Sequence, residues 1–229
     1  MDADATEMDA SDEQPVFDSG TAGASARREY ERRKANRERR TREKHPHIGG
    51  LLVALQNGPT HEQVWAQGSG GEQRIAKLLA RHLHEDVVLL HDRAVPRSPA
   101  NIDHIAVAPS GVWVIDAKCY NGKVTVKRPL FGKSKLVIAG RNKTNLIDGL
   151  AKQVAVVETV MADIAPLIQI RGALCFIDSE LPMFGTLTMR GYPLLHAKSL
   201  AERINAGGVL PRDGVQAIAA LLATHLPAA

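Results

Sequence analysis

Along residues 60 to 226 the hydrophobic positions switch repeatedly between a period near 3.6 and a period near two, and each switch predicts an element. Gly71–Leu83, GEQRIAKLLARHL, puts Ile75, Leu78, Leu79 and Leu83 on one face and predicts an amphipathic helix. Ahead of it, Thr60 and Gln63 have capping-box spacing for a short helix through Trp65, and Gly68-Ser69-Gly70-Gly71 predicts a break between the two. Asp86–His91 predicts a strand. Asn101–Tyr120, NIDHIAVAPSGVWVIDAKCY, has two Val- and Ile-rich runs around Pro109-Ser110-Gly111, which predicts a hairpin. Lys123–Lys127 and Lys135–Ala139 predict a second strand pair across a Phe131-Gly132 turn. Thr144–Ile164 predicts a long helix, capped at Thr144 or Asn145 and stopped by Pro166. Gly172–Ile177, Thr186–Met189 and Tyr192–His196 read as strands; Ser199–Asn205 and Asp213–Leu226 read as helices. This order predicts an α/β fold with one three-layer domain, a mixed β-sheet flanked by helices.

The first hairpin has apolar residues on both faces. Ile105, Val107, Val112 and Val114 share a face with Asp116 and Lys118; Ile102, Ala106, Trp113 and Ile115 share the other. Such a hairpin is buried on both sides, and charges at its edge are costly unless paired or metal-bound. A loop of two or four residues places Asp103 opposite Asp116 or Lys118, on their face; a three-residue loop without a bulge turns it away. Two carboxylates and a lysine gathered there can hold a divalent metal and set a water against a phosphodiester. Glu72 precedes Ile75 by three and Leu79 by seven, so it lies on the apolar face of its helix, in the predicted first turn. A first-turn Glu stabilising its own helix is the bland explanation for it.

Composition narrows the class. Of 229 residues, 44% are hydrophobic and 24% charged, as in soluble globular proteins. The two cysteines, Cys119 and Cys175, make neither a disulfide framework nor a zinc motif, which fits a cytoplasmic location. No apolar stretch reaches the ~20 residues that span a bilayer, so no membrane partner is expected; Ile48–Leu55 is apolar but short. Residues 1–47 read as a disordered tail, acidic to about residue 25 and then basic (ARREYERRKANRERRTREKH), with residues 48–229 as the domain. The tail is either a solvated arm, a nucleic-acid contact or a site for a protein partner. The net charge of +4 understates one local feature: Lys123, Lys127, Arg128, Lys133, Lys135, Arg141 and Lys143 follow one another with no acid between them. Such a run suits phosphate contact, although lysines on an edge hairpin also block aggregation. Aromatic residues are only 4%, which argues against stacking on single-stranded bases. His104 alternates away from Asp103 and reads as a packed histidine. Cys119, beside Lys118, is a candidate for a lowered pKa but has no pattern of nucleophile partners.

Taken in order, Trp65 with Gly71-Glu72, Asn101-Ile-Asp-His-Ile, Gly111-Val-Trp-Val-Ile, Asp116-Ala-Lys118 and then Gln153 resemble the nuclease-related (NERD) domain of the restriction-endonuclease-like, PD-(D/E)XK nucleases. The resemblance covers roughly residues 60–180, leaving 181–229 as an α/β extension. Two departures are Asp116, where Glu is more frequent, and the absence of Pro directly before Asp103. The resemblance implies a restriction-endonuclease-like three-layer core and hydrolysis of phosphodiester bonds, most naturally in DNA, with Mg²⁺ as cofactor or Mn²⁺ in its place. It implies Asp103 and Asp116 as metal ligands, Glu72 as a further ligand or water-setting group, Lys118 as the catalytic cation and Gln153 as a supporting amide. The rival reading is a non-catalytic nucleic-acid-binding or adaptor protein that keeps the fold.

Overall fold

The computed structural model describes residues 17–44, 59–162 and 165–229. Its elements are α1 (Ala24–Lys44), α2 (Pro59–His82), β1 (Val88–Ala94), β2 (Asn101–Ala108), β3 (Gly111–Lys127), β4 (Lys135–Ile138), β5 (Arg141–Asn142), α3 (Asn145–Ala162), β6 (Ile170–Glu180), β7 (Leu187–Met189), β8 (Tyr192–His196), α4 (Ala197–Ile204) and α5 (Arg212–His225). The strands make one mixed eight-stranded sheet in the order β1-β2-β3-β6-β8-β7, with β4 and β5 attached to the far half of β3. β3 runs antiparallel to β2 and parallel to β6, so the hairpin lies between β1 and β6 rather than at an edge.

Each face of the sheet packs its own helices. Ile105, Val107, Val112 and Val114 are fully buried in a cluster with Ile147, Leu150 and Val157 of α3 and with Val215 and Leu222 of α5. Ala106, Trp113 and Ile115 pack with Ile75 and Leu79 of α2 and with Leu200, Ala201 and Ile204 of α4. The two-sided burial expected of the hairpin is thus realised as three layers. Ile102 departs from the expected face and packs on the α3 side; strand twist rotates side chains out of strict alternation toward strand ends.

Two expectations about the front of the chain change. Gly68–Gly71 does not break the helix, because α2 is continuous from Pro59 to His82. Gly71 lies against β3, where an added Cβ would meet the Cys119 Cβ at 2.8 Å. Glycine costs helix stability, but here it lets helix and strand approach closely. The tail also divides. The acidic block 1–16 and the apolar stretch 48–55 lie outside the described residues. Residues 17–44, expected within the disordered tail, comprise a docked segment and the helix α1. Phe17 packs on the core. His91 donates its backbone N–H to the Ser19 carbonyl at 2.8 Å, and Ser25 is held by Asp92. A composition rich in small and charged residues hid these anchors, because they are tertiary contacts with β1.

Candidate active site

The β2–β3 turn has two residues, Pro109 and Ser110, since Ala108 pairs with Gly111. Gly111 has a φ of +118, and an added Cβ there would strike the Gln169 carbonyl at 2.5 Å. One step beyond the His104–Ile115 pair, this register sets Asp103 opposite Asp116. Asp103, Asp116 and Lys118 therefore share one face, as a two-residue loop requires.

Their contacts are specific. Asp103 Oδ2 accepts the Ala117 N–H at 2.8 Å across the hairpin, which fixes its carboxylate. Lys118 Nζ donates to Asp116 Oδ1 at 2.5 Å and to the Ala117 carbonyl at 3.0 Å, and stands 3.9 Å from Asp103 Oδ2. Both aspartates are buried. Glu72 comes from the α2 layer. It lies in the middle of its 24-residue helix, so the helix dipole does not account for it, and its Oε2 is buried with no hydrogen-bond partner. Gln153, on α3, donates from Nε2 to the Asn101 carbonyl at 3.5 Å, while its Oε1 is buried and unpartnered. It thus buttresses the β2 backbone two residues before Asp103.

Electrostatics confirm one shared neighbourhood. Burial, then Asp103 and Asp92, push the Glu72 carboxyl up to about 8. Burial pushes Asp116 up to about 7 against the pull of Lys118, with Asp103 adding to the rise. Burial alone would lower the Lys118 ammonium, but Asp116 and Asp103 outweigh it and hold it above its ordinary value. Lys118 is therefore a cation at neutral pH, suited to holding negative charge and not to taking a proton.

Among the described residues, no three His, Cys, Asp or Glu side chains stand close enough together to form a ready metal cage. The carboxylates make an electrostatic neighbourhood rather than a coordination shell, and the Lys118 ammonium is the cation between the two aspartates. The donor set still fits a hard divalent ion. It is all oxygen, it has one orphaned buried carboxylate oxygen, and two of its carboxylates, Glu72 and Asp116, are held up by burial and by the charge of Asp103.

Some site neighbours were missed in the sequence. Asp92, buried with a φ of +51, accepts hydrogen bonds from Ser25 N and Oγ, each at 2.5 Å, and from Asn101 Nδ2 at 2.7 Å. It also contributes to raising Glu72. Its only signal was a charged His-Asp-Arg triplet closing an apolar strand. His104 is fully buried, as expected, with Nδ1 2.9 Å from His91 Nδ1. Its Nε2 makes no hydrogen bond of good geometry, although the Glu72 backbone lies within reach of the ring. Cys119 differs from expectation: burial, then Asp178, raises its thiol above the ordinary value, so it is no thiolate.

The basic run forms a β-ribbon. Lys123 and Lys127 lie on the outward face of β3, while Val124 and Val126 pair inward with Ile138 and Leu136. Lys127 lies directly opposite Lys135. Lys133 and Arg141 are exposed, Arg128 donates to the Thr188 carbonyl at 2.9 Å, and Lys143 lies over the Tyr120 ring at 5.2 Å. Separately, Arg28, Arg32 and Arg33 of α1 line a cleft of about 680 Å³ that reaches Asn101, close to the carboxylates.

This is an α/β fold with a mixed sheet between helical layers and an acidic-basic cluster on its central hairpin. Residues 67–177, which contain that hairpin, Glu72 and Gln153, match the family model of the nuclease-related domain, NERD. A restriction-endonuclease-like placement is consistent with that family. No curated protein and no solved structure shows significant similarity to the chain. No helix among the described residues is long and apolar enough to cross a membrane.

Proposed function

We propose that this protein is a divalent-metal-dependent nuclease that hydrolyses phosphodiester bonds in DNA. The observation that carries the reading is the cluster of Asp103, Asp116 and Lys118 on the β2–β3 hairpin, with Glu72 of α2 close enough to feel the charge of all three, so that three elements share one electrostatic neighbourhood. Asp103 and Asp116 would hold Mg²⁺ or Mn²⁺, with Glu72 as a further ligand. Bound there, the ion supplies Lewis acidity at the scissile phosphate. Lys118, kept charged by its aspartates, donates to phosphate oxygens as their negative charge grows. The Ala117 N–H holds Asp103 in its rotamer, and Gln153 steadies the strand that carries it. The lysine ribbon supplies phosphate contacts that position the duplex without reading its sequence.

The test is plasmid cleavage by the full chain in Mg²⁺ or in EDTA. Wild type nicks or degrades the plasmid only with metal. Asp116→Asn and Lys118→Ala lose at least about a hundredfold in rate while their thermal unfolding stays cooperative. Equal activity in wild type and both variants overturns the assignment. Metal-independent DNA binding with no cleavage under any divalent ion establishes the non-catalytic reading instead.

A further inference from the structure

Two turns carry the pattern Pro-x-Phe-Gly with a bulky apolar residue at x. Pro129-Leu130-Phe131-Gly132 closes the β3–β4 hairpin, and Pro182-Met183-Phe184-Gly185 follows β6. The glycine that ends each has a positive φ, +102 at Gly132 and +77 at Gly185. The bulky pair in each stands in solvent: Leu130 is 97% and Phe131 91% exposed, Met183 92% and Phe184 88%. Because β3 and β6 are parallel and Lys123 pairs with Glu180, both turns leave the same end of the sheet. Arg128 donates to the Thr188 carbonyl at 2.9 Å, which ties the root of the first turn to the strand leaving the second.

These side chains contribute nothing to the core, and paired apolar residues projecting this far mark a binding surface. Two of the chain's four phenylalanines are placed here, so the scarcity of aromatics is no argument against stacking once their positions are known. The surroundings give the occupant's charge. Lys123, Lys127 and Lys135 line the outward face of the ribbon, and the like pair Lys127–Lys135 is unfavourable until a polyanion neutralises it. These cations form a track leading from the carboxylates toward the tip; at ~3.3 Å per strand residue the end of β3 at Lys127 lies ~30 Å beyond Lys118, and the tip lies further still. A track of this kind follows a phosphate backbone, whereas an anionic bilayer needs cations in one plane around the apolar groups. Bases inside a duplex are closed to a phenyl ring, and unpaired bases are not.

We propose that the two Pro-x-Phe-Gly turns hold unpaired bases of a nucleic acid whose phosphates run along the lysine track, so that the substrate is a duplex with a single-stranded tail. This rests on the nucleic-acid reading above and adds to it the substrate class. Phe131 and Phe184 stack on bases of the tail, and Leu130 and Met183 flank them.

The experiment measures binding of the full chain in EDTA, so that cleavage does not enter. The probes are a blunt duplex, the same duplex with a single-stranded tail, and phosphatidylserine vesicles. Phe131→Ala with Phe184→Ala weakens binding of the tailed duplex about tenfold or more and of the blunt duplex less than about threefold, with the salt dependence unchanged. Phe131→Trp retains tailed-duplex affinity, and its added fluorescence is quenched on binding. Both residues are exposed, so the melting temperature of each variant stays that of wild type. Equal weakening for both duplexes, or none, overturns the proposal. So does Phe-dependent sedimentation with the vesicles without tail preference, which assigns the turns to a membrane surface. Tail-selective binding by a protein that never cleaves upholds the proposal and overturns the nuclease reading; cleavage without tail selectivity does the reverse.

Discussion

Glu72 is the residue whose meaning changed most. Placed at a helix start it would be an ordinary stabilising carboxylate. Placed mid-helix, half-buried and under the charge of Asp103, Asp92 and Asp116, it costs stability for as long as it is ionised. The sign follows from its raised value. Between the ordinary carboxylate range and about 8, the folded protein keeps a proton that the unfolded chain has lost, so stability falls as pH rises through that window. Glu72→Gln in EDTA is therefore expected to be as stable as wild type near pH 4 and more stable by ~1–3 kcal/mol at pH 8, while losing Mg²⁺-dependent activity. Urea titrations at both pH values check this; an advantage independent of pH would refute it. The His91–His104 pair works in the opposite direction. Burial lowers both, His104 to about 3, so their contribution is lost as pH falls below ~6.5, where the unfolded chain takes up protons that the folded one refuses. Replacing His104 by Asn flattens the acid limb of the stability curve, measured the same way.

At the scale of elements, the contact between α2 and β3 decides where Glu72 stands. Gly71 sits where the helix touches Cys119, and helix propensity and packing give opposite signs for one substitution. Propensity says that Gly71→Ala stabilises by ~1 kcal/mol. The 2.8 Å approach to the Cys119 Cβ, which cannot swing aside, says that it destabilises by ~1–3 kcal/mol. The packing outcome is expected, with reduced cleavage because Glu72 is displaced. Thermal denaturation decides the sign. The β3–β4 ribbon is the second decisive element: its inward valines bury themselves against Leu136 and Ile138, which turns every lysine of the alternate positions outward. Lys123, Lys127 and Lys135 changed together to alanine should lower the slope of log affinity against log salt by about 2–3 and leave stability almost unchanged. An unaltered slope would show that these lysines do not meet phosphate.

Across the whole molecule, the segment before α1 is tied to the far edge of the sheet, and this links the arginine-lined cleft to the carboxylates through Asp92 and Asn101. Ser25→Ala removes the hydroxyl partner of a buried carboxylate and is expected to cost ~1–3 kcal/mol in urea denaturation, more than an exposed serine would. No cost would mean that the anchor does not hold α1 in place.

Periodicity sufficed for the layers, for the hairpin and for the shared face of Asp116 and Lys118, because alternation along a strand is a local property, whereas the face of Asp103 stayed open until the pairing of Ala108 with Gly111 fixed a two-residue turn. The ordered sequence phrases were enough to expect a resemblance to the nuclease-related domain over roughly residues 60–180, and the family model matches residues 67–177 within it. Other features could not be read locally. The continuity of α2 through four small residues depends on β3 lying against it. The role of Asp92 depends on Ser25 and Asn101, distant in sequence, reaching it. The kinship of two turns fifty-odd residues apart shows only when parallel strands carry both to one end of the sheet. Each of these is a contact between segments far apart in the chain, and its energy is absent until the layers close.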